Sequence, residues 1–259
     1  MAQDIVIAQN QGVLTVTLTR TAKKNALTNH MYDELADALE RADTDSSIRA
    51  VVLRSAGNTF TAGNDIGDFA EQSADKGAAS AEEKPVQRYI RALVNSSTPI
   101  VAAVQGQAVG IGTTMLLHCD YVLLTEDAQL STPFVSLALV PEAASSRLLT
   151  QRIGHVRAFA MFALGESLDA QSAVLAGVAN AIVPAAELHE QAQTIAAKLS
   201  AQPAGSLTAT KRLMRDVEPT LEQVAAESAL FVERLASPEA LEAFTAFREK
   251  RRPDFAQFS

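Results

Sequence analysis

Apolar and polar residues alternate at the start of the chain. Ile5, Val6 and Ile7, and then residues 13–18, flank Gln11-Gly12, which predicts a β-hairpin. Over residues 26–42 the apolar positions recur at helical spacing, with Thr28 or Asn29 as N-cap. The apolar run 50–53 predicts a short buried strand, followed by the irregular stretch SAGNTFTAGND. Residues 71–84, EQSADKGAASAEEK, carry no large apolar side chain and have the composition of a mobile surface segment. Residues 86–94 are amphipathic, Pro99 opens a strand over 100–104, and a glycine-rich turn leads into the apolar stretch 111–117. Residues 121–124 and 129–132 are short strand candidates, and from 143 onward the pattern is helical apart from an apolar step at 179–183. Strand and helix alternate early and helices dominate late, so the expected architecture is an α/β core over 1–200 with a C-terminal helical region over 201–259.

Composition narrows the function classes. A chain of 259 residues with 47% apolar and 20% charged residues can bury one substantial core. Trp is absent and aromatics reach only 5%, which leaves the packing to Ala, Val, Leu and Ile. The net charge of −8 argues against broad binding to nucleic acid or to an anionic membrane, yet allows a small anion at a local basic cluster. Lys23-Lys24 and Lys250-Arg251-Arg252 are such clusters. Cys119, the only cysteine, sits in the apolar string MLLHCDYVLL and is expected to fill core space. With no apolar h-region at the N-terminus and no run long enough to cross a bilayer, a cytoplasmic location is expected.

Two glycine-containing loops are candidates for chemistry. Phe60-Thr61-Ala62-Gly63-Asn64-Asp65 and Gln105-Gly106-Gln107-Ala108-Val109-Gly110-Ile111-Gly112 each follow a β-type segment and run into a helix. Such junctions present unpaired N–H groups reinforced by the helix dipole. Two N–H groups converging from separate loops can hold an oxyanion, each good donor being worth roughly 3 kcal/mol. Taken singly, glycines at such junctions more often serve turn geometry or close packing. The second loop does not follow G-x-G-x-x-G, so a dinucleotide site is set aside.

Taken together the loops resemble those of the crotonase, or enoyl-CoA hydratase/isomerase, superfamily. The resemblance runs through Arg20, Asn25-Ala26-Leu27, the AGND loop and Pro99-Ile100-Val101-Ala102-Ala103-Val104-Gln105-Gly106. It continues in Ala108-Val109-Gly110-Ile111-Gly112, Cys119-Asp120, Ala176-Gly177-Val178-Ala179 and Phe247-Arg248-Glu249-Lys250-Arg251. It implies a crotonase-like spiral of ββα units, a helical trimerisation region, and assembly as a homotrimer or homohexamer. The shared chemistry is the enolate of a coenzyme A thioester held by two backbone N–H groups, which the resemblance places at Ala62 and Ile111. It implies an acyl-CoA thioester as substrate and no separate cofactor. The implied contacts come from Lys24, Ala62, Gly63, Asn64, Asp65, Ile111 and Phe134, with Lys250 reaching the 3′-phosphate across a subunit boundary. The family usually has glycine at the place of Ile111, whose branched side chain is expected to narrow the pocket.

The resemblance also selects among enolate reactions. Hydratases of this family use two glutamates to position water, and the matching positions here hold Thr114 and Phe134. Ordinary hydration is therefore expected to be absent or weak. The stretch from Ser131 to Ser146 resembles peroxisomal-type Δ3,Δ2-enoyl-CoA isomerases, whose single catalytic glutamate falls at Glu142. One carboxylate moving a proton between two carbons suits that reaction. The apolar neighbours Val140, Ala143 and Ala144 are expected to raise its pKa. From spacing alone, Glu142 reads as a first-turn helix glutamate after Pro141. Asp65 and Asp68 read as helix caps and Glu126-Asp127 as a turn. No histidine has a metal-ligand spacing, so no metal site is expected, and Ser145-Ser146 lack a nucleophile elbow. Two alternatives remain beside the isomerase: another crotonase reaction, including hydration, and a silent acyl-CoA-binding protein.

Overall fold

The computed structural model describes residues 3–65, 67 and 83–258. Strands β1 (Ile5–Asn10) and β2 (Val13–Leu18) form the expected hairpin. Its turn residues Gln11 and Gly12 have φ of 47° and 81°, the paired positive values of a tight two-residue hairpin turn. Helix α1 (Asn29–Thr44) starts at Thr28, whose side chain accepts the Met31 N–H. Strand β3 (Ala50–Ser55), helix α2 (Pro85–Asn95) and strand β4 (Ile100–Val104) follow. Then come β5 (Gln107–Val109), α3 (Ile111–Thr114) with its 3₁₀ continuation Met115–His118, β6 (Tyr121–Leu124) and β7 (Gln129–Ser131). Helices α4 (Ser145–Ile153) and α5 (His155–Phe159) lead through β8 (Leu168–Asp169), α6 (Ala170–Leu175) and β9 (Ala181–Ile182) to α7 (Leu188–Ser200). Helices α8 (Ala204–Leu213), α9 (Val217–Leu235) and α10 (Pro238–Glu249) end the chain.

Two sheets organise these elements. The larger has the order β1-β2-β3-β4-β6-β9, antiparallel only at the hairpin; the smaller has the order β5-β7-β8. Alternate side chains of the central strands enter two separate cores. Val51, Leu53, Ala102 and Val104 pack beneath α1 and α2, while Ala50, Val52, Val101 and Ala103 face Leu188, Ala192 and Ala196 of α7. Burial on both faces explains the unbroken apolar strings of β3 and β4. The edge strand β1 is exposed beyond Ile5 and keeps polar positions.

Strands β5 and β8 depart from the sequence expectation. Each has three residues or fewer, and they sit in a glycine-rich turn and a helical-pattern region respectively, so neither carries a periodic signal. Asp68 and residues 71–82 of the segment read as mobile lie outside the described residues. On the late helices several large apolar side chains face outward, among them Leu213, Met214, Leu241 and Phe247.

Candidate active site

The two glycine loops meet through their backbones. Phe60 N–H donates to Gln105 O at 2.9 Å, Thr61 N–H to Gln107 O at 3.1 Å, and Val109 N–H to Thr61 O at 3.1 Å. A Cβ on Gly63 would sit 2.8 Å from Val109 O, and one on Gly106 would sit 2.1 Å from Asn58 O. Close packing is thus why glycine is needed here, and that packing is also what sets one loop beside the other.

Most N–H groups of the first loop are already committed. Ala62 N–H donates to Lys24 O at 2.9 Å, Gly63 N–H to Thr61 Oγ1 at 3.0 Å, and Asp65 N–H to Leu27 O at 2.9 Å. Leu27 and Asn64 form a parallel bridge in which Leu27 bonds to Gly63 and Asp65, so the Asn64 N–H points the other way. It has no hydrogen-bond partner among the described residues. The Ala62 N–H, expected to be a free donor, is thus occupied by the Lys24 carbonyl, and the N–H left open in this loop is that of Asn64. Across from it, Ile111 opens α3, where an N–H has no intrahelical acceptor. The Ile111 side chain is buried in the main core.

Glu142 is tied to the helix that Ile111 opens. Thr114, one helical turn after Ile111, donates Oγ1–H to Glu142 Oε1 at 2.5 Å. The Glu142 side chain is buried, and its Oε2 has no partner among the described residues. Burial pushes its carboxyl up to about 8, with a contribution from the Glu227 carboxylate, while the Thr114 hydrogen bond pulls the other way. The expected place of Glu142 in a first helical turn is corrected. Ala143 and Ala144 have φ of 57° and 55°, and this left-handed pair separates Glu142 from α4. Behind the turn, His118 Nε2–H donates to Ala143 O at 2.8 Å, and burial lowers that imidazole to about 4, keeping it neutral.

One participant escaped the sequence. Glu227, midway along α9, is buried; its Oε1 accepts the Ser146 N–H at 3.0 Å and also the Ser146 hydroxyl. An acid inside the apolar string Val224-Ala225-Ala226-Glu227-Ser228-Ala229-Leu230 was the available signal.

The remaining candidates are dispersed. Phe134 is buried against Phe162, with ring centroids 6.1 Å apart. Lys24 contributes its carbonyl to the first loop and exposes its side chain. Asp65 accepts the N–H of helical Gly67 at 2.9 Å, as a helix cap does, and also pairs with Arg20 at 2.6 Å. Burial opposes ionisation there, yet the Arg20 partner holds the carboxyl below its ordinary value. Lys250 caps α10 at φ 56° and is exposed, and its neighbour Arg251 is taken up by Glu242 and Glu249. Cys119 is buried and unpaired, as expected. A cavity of about 600 Å³ is lined by residues that do not include Glu142. Its cations are engaged: Lys211 by Asp120 at 2.7 Å, Arg215 by Asp120 at 3.2 Å, and Arg152 by Leu117 O at 2.6 Å. Among the described residues no helix is long and apolar enough to cross a membrane.

The open N–H groups of Asn64 and Ile111, with buried Glu142 hydrogen-bonded to the helix that Ile111 opens, make up the candidate site. Residues 8–258 match the family described as Enoyl-CoA hydratase/isomerase. The chain is 33% identical over 254 residues to the 2,3-dehydroadipyl-CoA hydratase of Escherichia coli (strain K12), covering 97% of this chain and 98% of that one. Identity to enoyl-CoA delta isomerase 2 of Rattus norvegicus is 30% over 223 residues, covering 84% of this chain and 56% of that protein. The crystal structure of an enoyl-CoA hydratase/isomerase from Pseudoalteromonas atlantica T6c matches with a TM-score of 0.92 at 39% identity, covering 98% of this chain and all (100%) of that one. The chain belongs to the enoyl-CoA hydratase/isomerase family and is an acyl-CoA enzyme with the crotonase fold.

Proposed function

We propose that the protein is a Δ3,Δ2-enoyl-CoA isomerase in which Glu142 carries the proton. The observation that supports this best is the buried carboxylate of Glu142, raised to about 8 and hydrogen-bonded to Thr114 on the helix that Ile111 opens. Ionised Glu142 removes a proton from C2 of the 3-enoyl thioester. The electrons move onto the thioester oxygen, which the Asn64 and Ile111 N–H groups receive. Glu142, now protonated, returns its proton to C4 as the double bond settles between C2 and C3. No atom is gained or lost, so one acid suffices. Thr114 and Phe134 hold no carboxylate with which to activate water. A raised pKa suits a group that must both take and give a proton near neutral pH.

Under the same reading, coenzyme A arrives as part of the substrate, and the enzyme works in the cytoplasm with no cofactor of its own. The outward-facing apolar side chains of the late helices are covered in a homotrimer or homohexamer. Lys250, exposed at the end of α10, meets the 3′-phosphate of a ligand bound by a neighbouring copy. Hydration is the second reading, favoured by the similarity to the 2,3-dehydroadipyl-CoA hydratase.

A panel of 3-enoyl and 2-enoyl thioesters, assayed for both isomerisation and hydration, separates these readings. Glu142→Gln should lower isomerisation by about 10²–10⁴-fold and leave thioester binding in place. Parent-like isomerisation by Glu142→Gln refutes the mechanism. A parent protein that only hydrates makes the second reading correct, and one that binds without turnover is a silent acyl-CoA-binding protein.

A further inference from the structure

Two buried carboxylates from distant parts of the chain face one turn. Glu142 stands before the left-handed pair Ala143-Ala144, and Glu227 grips Ser146 just after it. Gln223 Nε2–H donates to the Ser146 hydroxyl at 3.0 Å, so one face of α9 closes on the first turn of α4. Each carboxylate keeps a buried Oε2 with no partner among the described residues.

The groups around them are otherwise uncharged. Thr114 comes from α3, and His118, held neutral, comes from the 3₁₀ turn behind it. Tyr89, from α2, is fully buried with its phenol held protonated by burial, by Cys119 and by Glu142. On α4, Ser145 is buried, and Arg147 lies 3.6 Å from Asp216. Among the described residues no cation pairs with either glutamate. Glu227 accepts a backbone and a hydroxyl hydrogen bond where Glu142 accepts one, so Glu227 is the better-solvated anion of the two.

We propose that Glu227 is a positioning residue for the proton shuttle: through Ser146 it fixes the turn that aims Glu142, and as the neighbouring carboxylate it sets when Glu142 releases its proton. The catalytic half of this inference rests on the isomerase reading; the electrostatic half does not. The two roles separate by substitution. Glu227→Gln keeps an oxygen to accept both Ser146 hydrogen bonds and removes the charge. Glu227→Ala removes both.

The experiment uses the full-length protein and two readouts. The first is the pH dependence of kcat and kcat/KM for isomerisation. The second is a carboxyl-carbon NMR titration of Glu142 in glutamate-labelled protein, assigned by the signal missing from Glu142→Gln. Glu227→Gln should keep kcat within about threefold on its high-pH plateau and move both midpoints down by about one pH unit. Glu227→Ala should lower plateau kcat by about 10- to 100-fold with little change in KM, because aim is lost and binding is not. A Glu142 midpoint unmoved in Glu227→Gln overturns the electrostatic role, and parent-like kcat in Glu227→Ala overturns the positioning role. Should the parent show no isomerisation, the NMR titration still decides whether Glu227 governs the proton on Glu142. Should Glu227→Ala fail to fold, Ser146→Ala, which removes the hydroxyl contact to Glu227 and leaves its charge, carries the positioning test, and parent-like plateau kcat there overturns that role.

Discussion

On one side of the site, the groups proposed to receive negative charge are backbone N–H groups of two loops tied together by bonds of 2.9 to 3.1 Å. On the other side a single side chain, Glu142, is suspended from two left-handed alanines and steadied by Thr114 at 2.5 Å. The first half is fixed by steric fit, since Gly63 leaves no room for a Cβ beside Val109 O. The second half is fixed by solvation and charge, which burial and Glu227 both alter. Damage to the backbone half should lower the rate at every pH, whereas a change in charge or hydrogen bonding that leaves Glu142 present and aimed should move the pH at which the rate appears.

Among substitutions that leave Glu142 itself in place, the largest expected effect breaks the backbone half. Gly63→Ala puts a methyl 2.8 Å from Val109 O at φ +88°, so the loops must part. Loss of one aligned donor should cost about 10²–10³-fold in kcat. The pH midpoint should stay with the parent, and a shifted midpoint would erase the distinction drawn between the halves.

A smaller effect sharpens the carboxylate half. Thr114→Val keeps the shape but removes the hydrogen bond that favours the ionised acid, so Glu142 should hold its proton to higher pH. The expected outcome is a loss of about tenfold in kcat/KM at neutral pH, largely recovered under more alkaline conditions. A rate loss independent of pH would instead mark Thr114 as part of the rigid half.

The smallest effect per step is thermodynamic. Glu142 binds its proton more tightly folded, at about 8, than at the ordinary value of 4.5. Its stabilising contribution is complete below 4.5 and is lost as the pH rises through 8. Denaturation of the parent should therefore show stability falling across this window by up to about 1.4 kcal/mol per pH unit from this group. In Glu142→Gln that component should vanish, so the two stability curves should converge towards acid pH. Parallel curves would mean that burial leaves the Glu142 proton unchanged.

What was legible in the sequence follows the same division. Gly63, Gly106 and the loop strings could be read because close backbone approach demands glycine and leaves a mark. Which N–H of the first loop is free could not be read, because Lys24 O and the register of Leu27 against Asn64 decide it. Thr28 announced α1, but nothing announced that Ala143 and Ala144 turn left-handed, since alanine ordinarily continues a helix. Glu227 meets Ser146 across 81 positions of chain, a separation that no local pattern encodes.

The two left-handed alanines also bear on engineering. Each sits where a Cβ costs about 1 kcal/mol and glycine would sit at ease. A screen that rewards only melting temperature would favour glycine at 143 or 144, gaining stability at the turn and loosening the aim of the acid. Thermostability and turnover should thus pull in opposite directions at these two positions, so any selection for a hardier enzyme should hold them fixed.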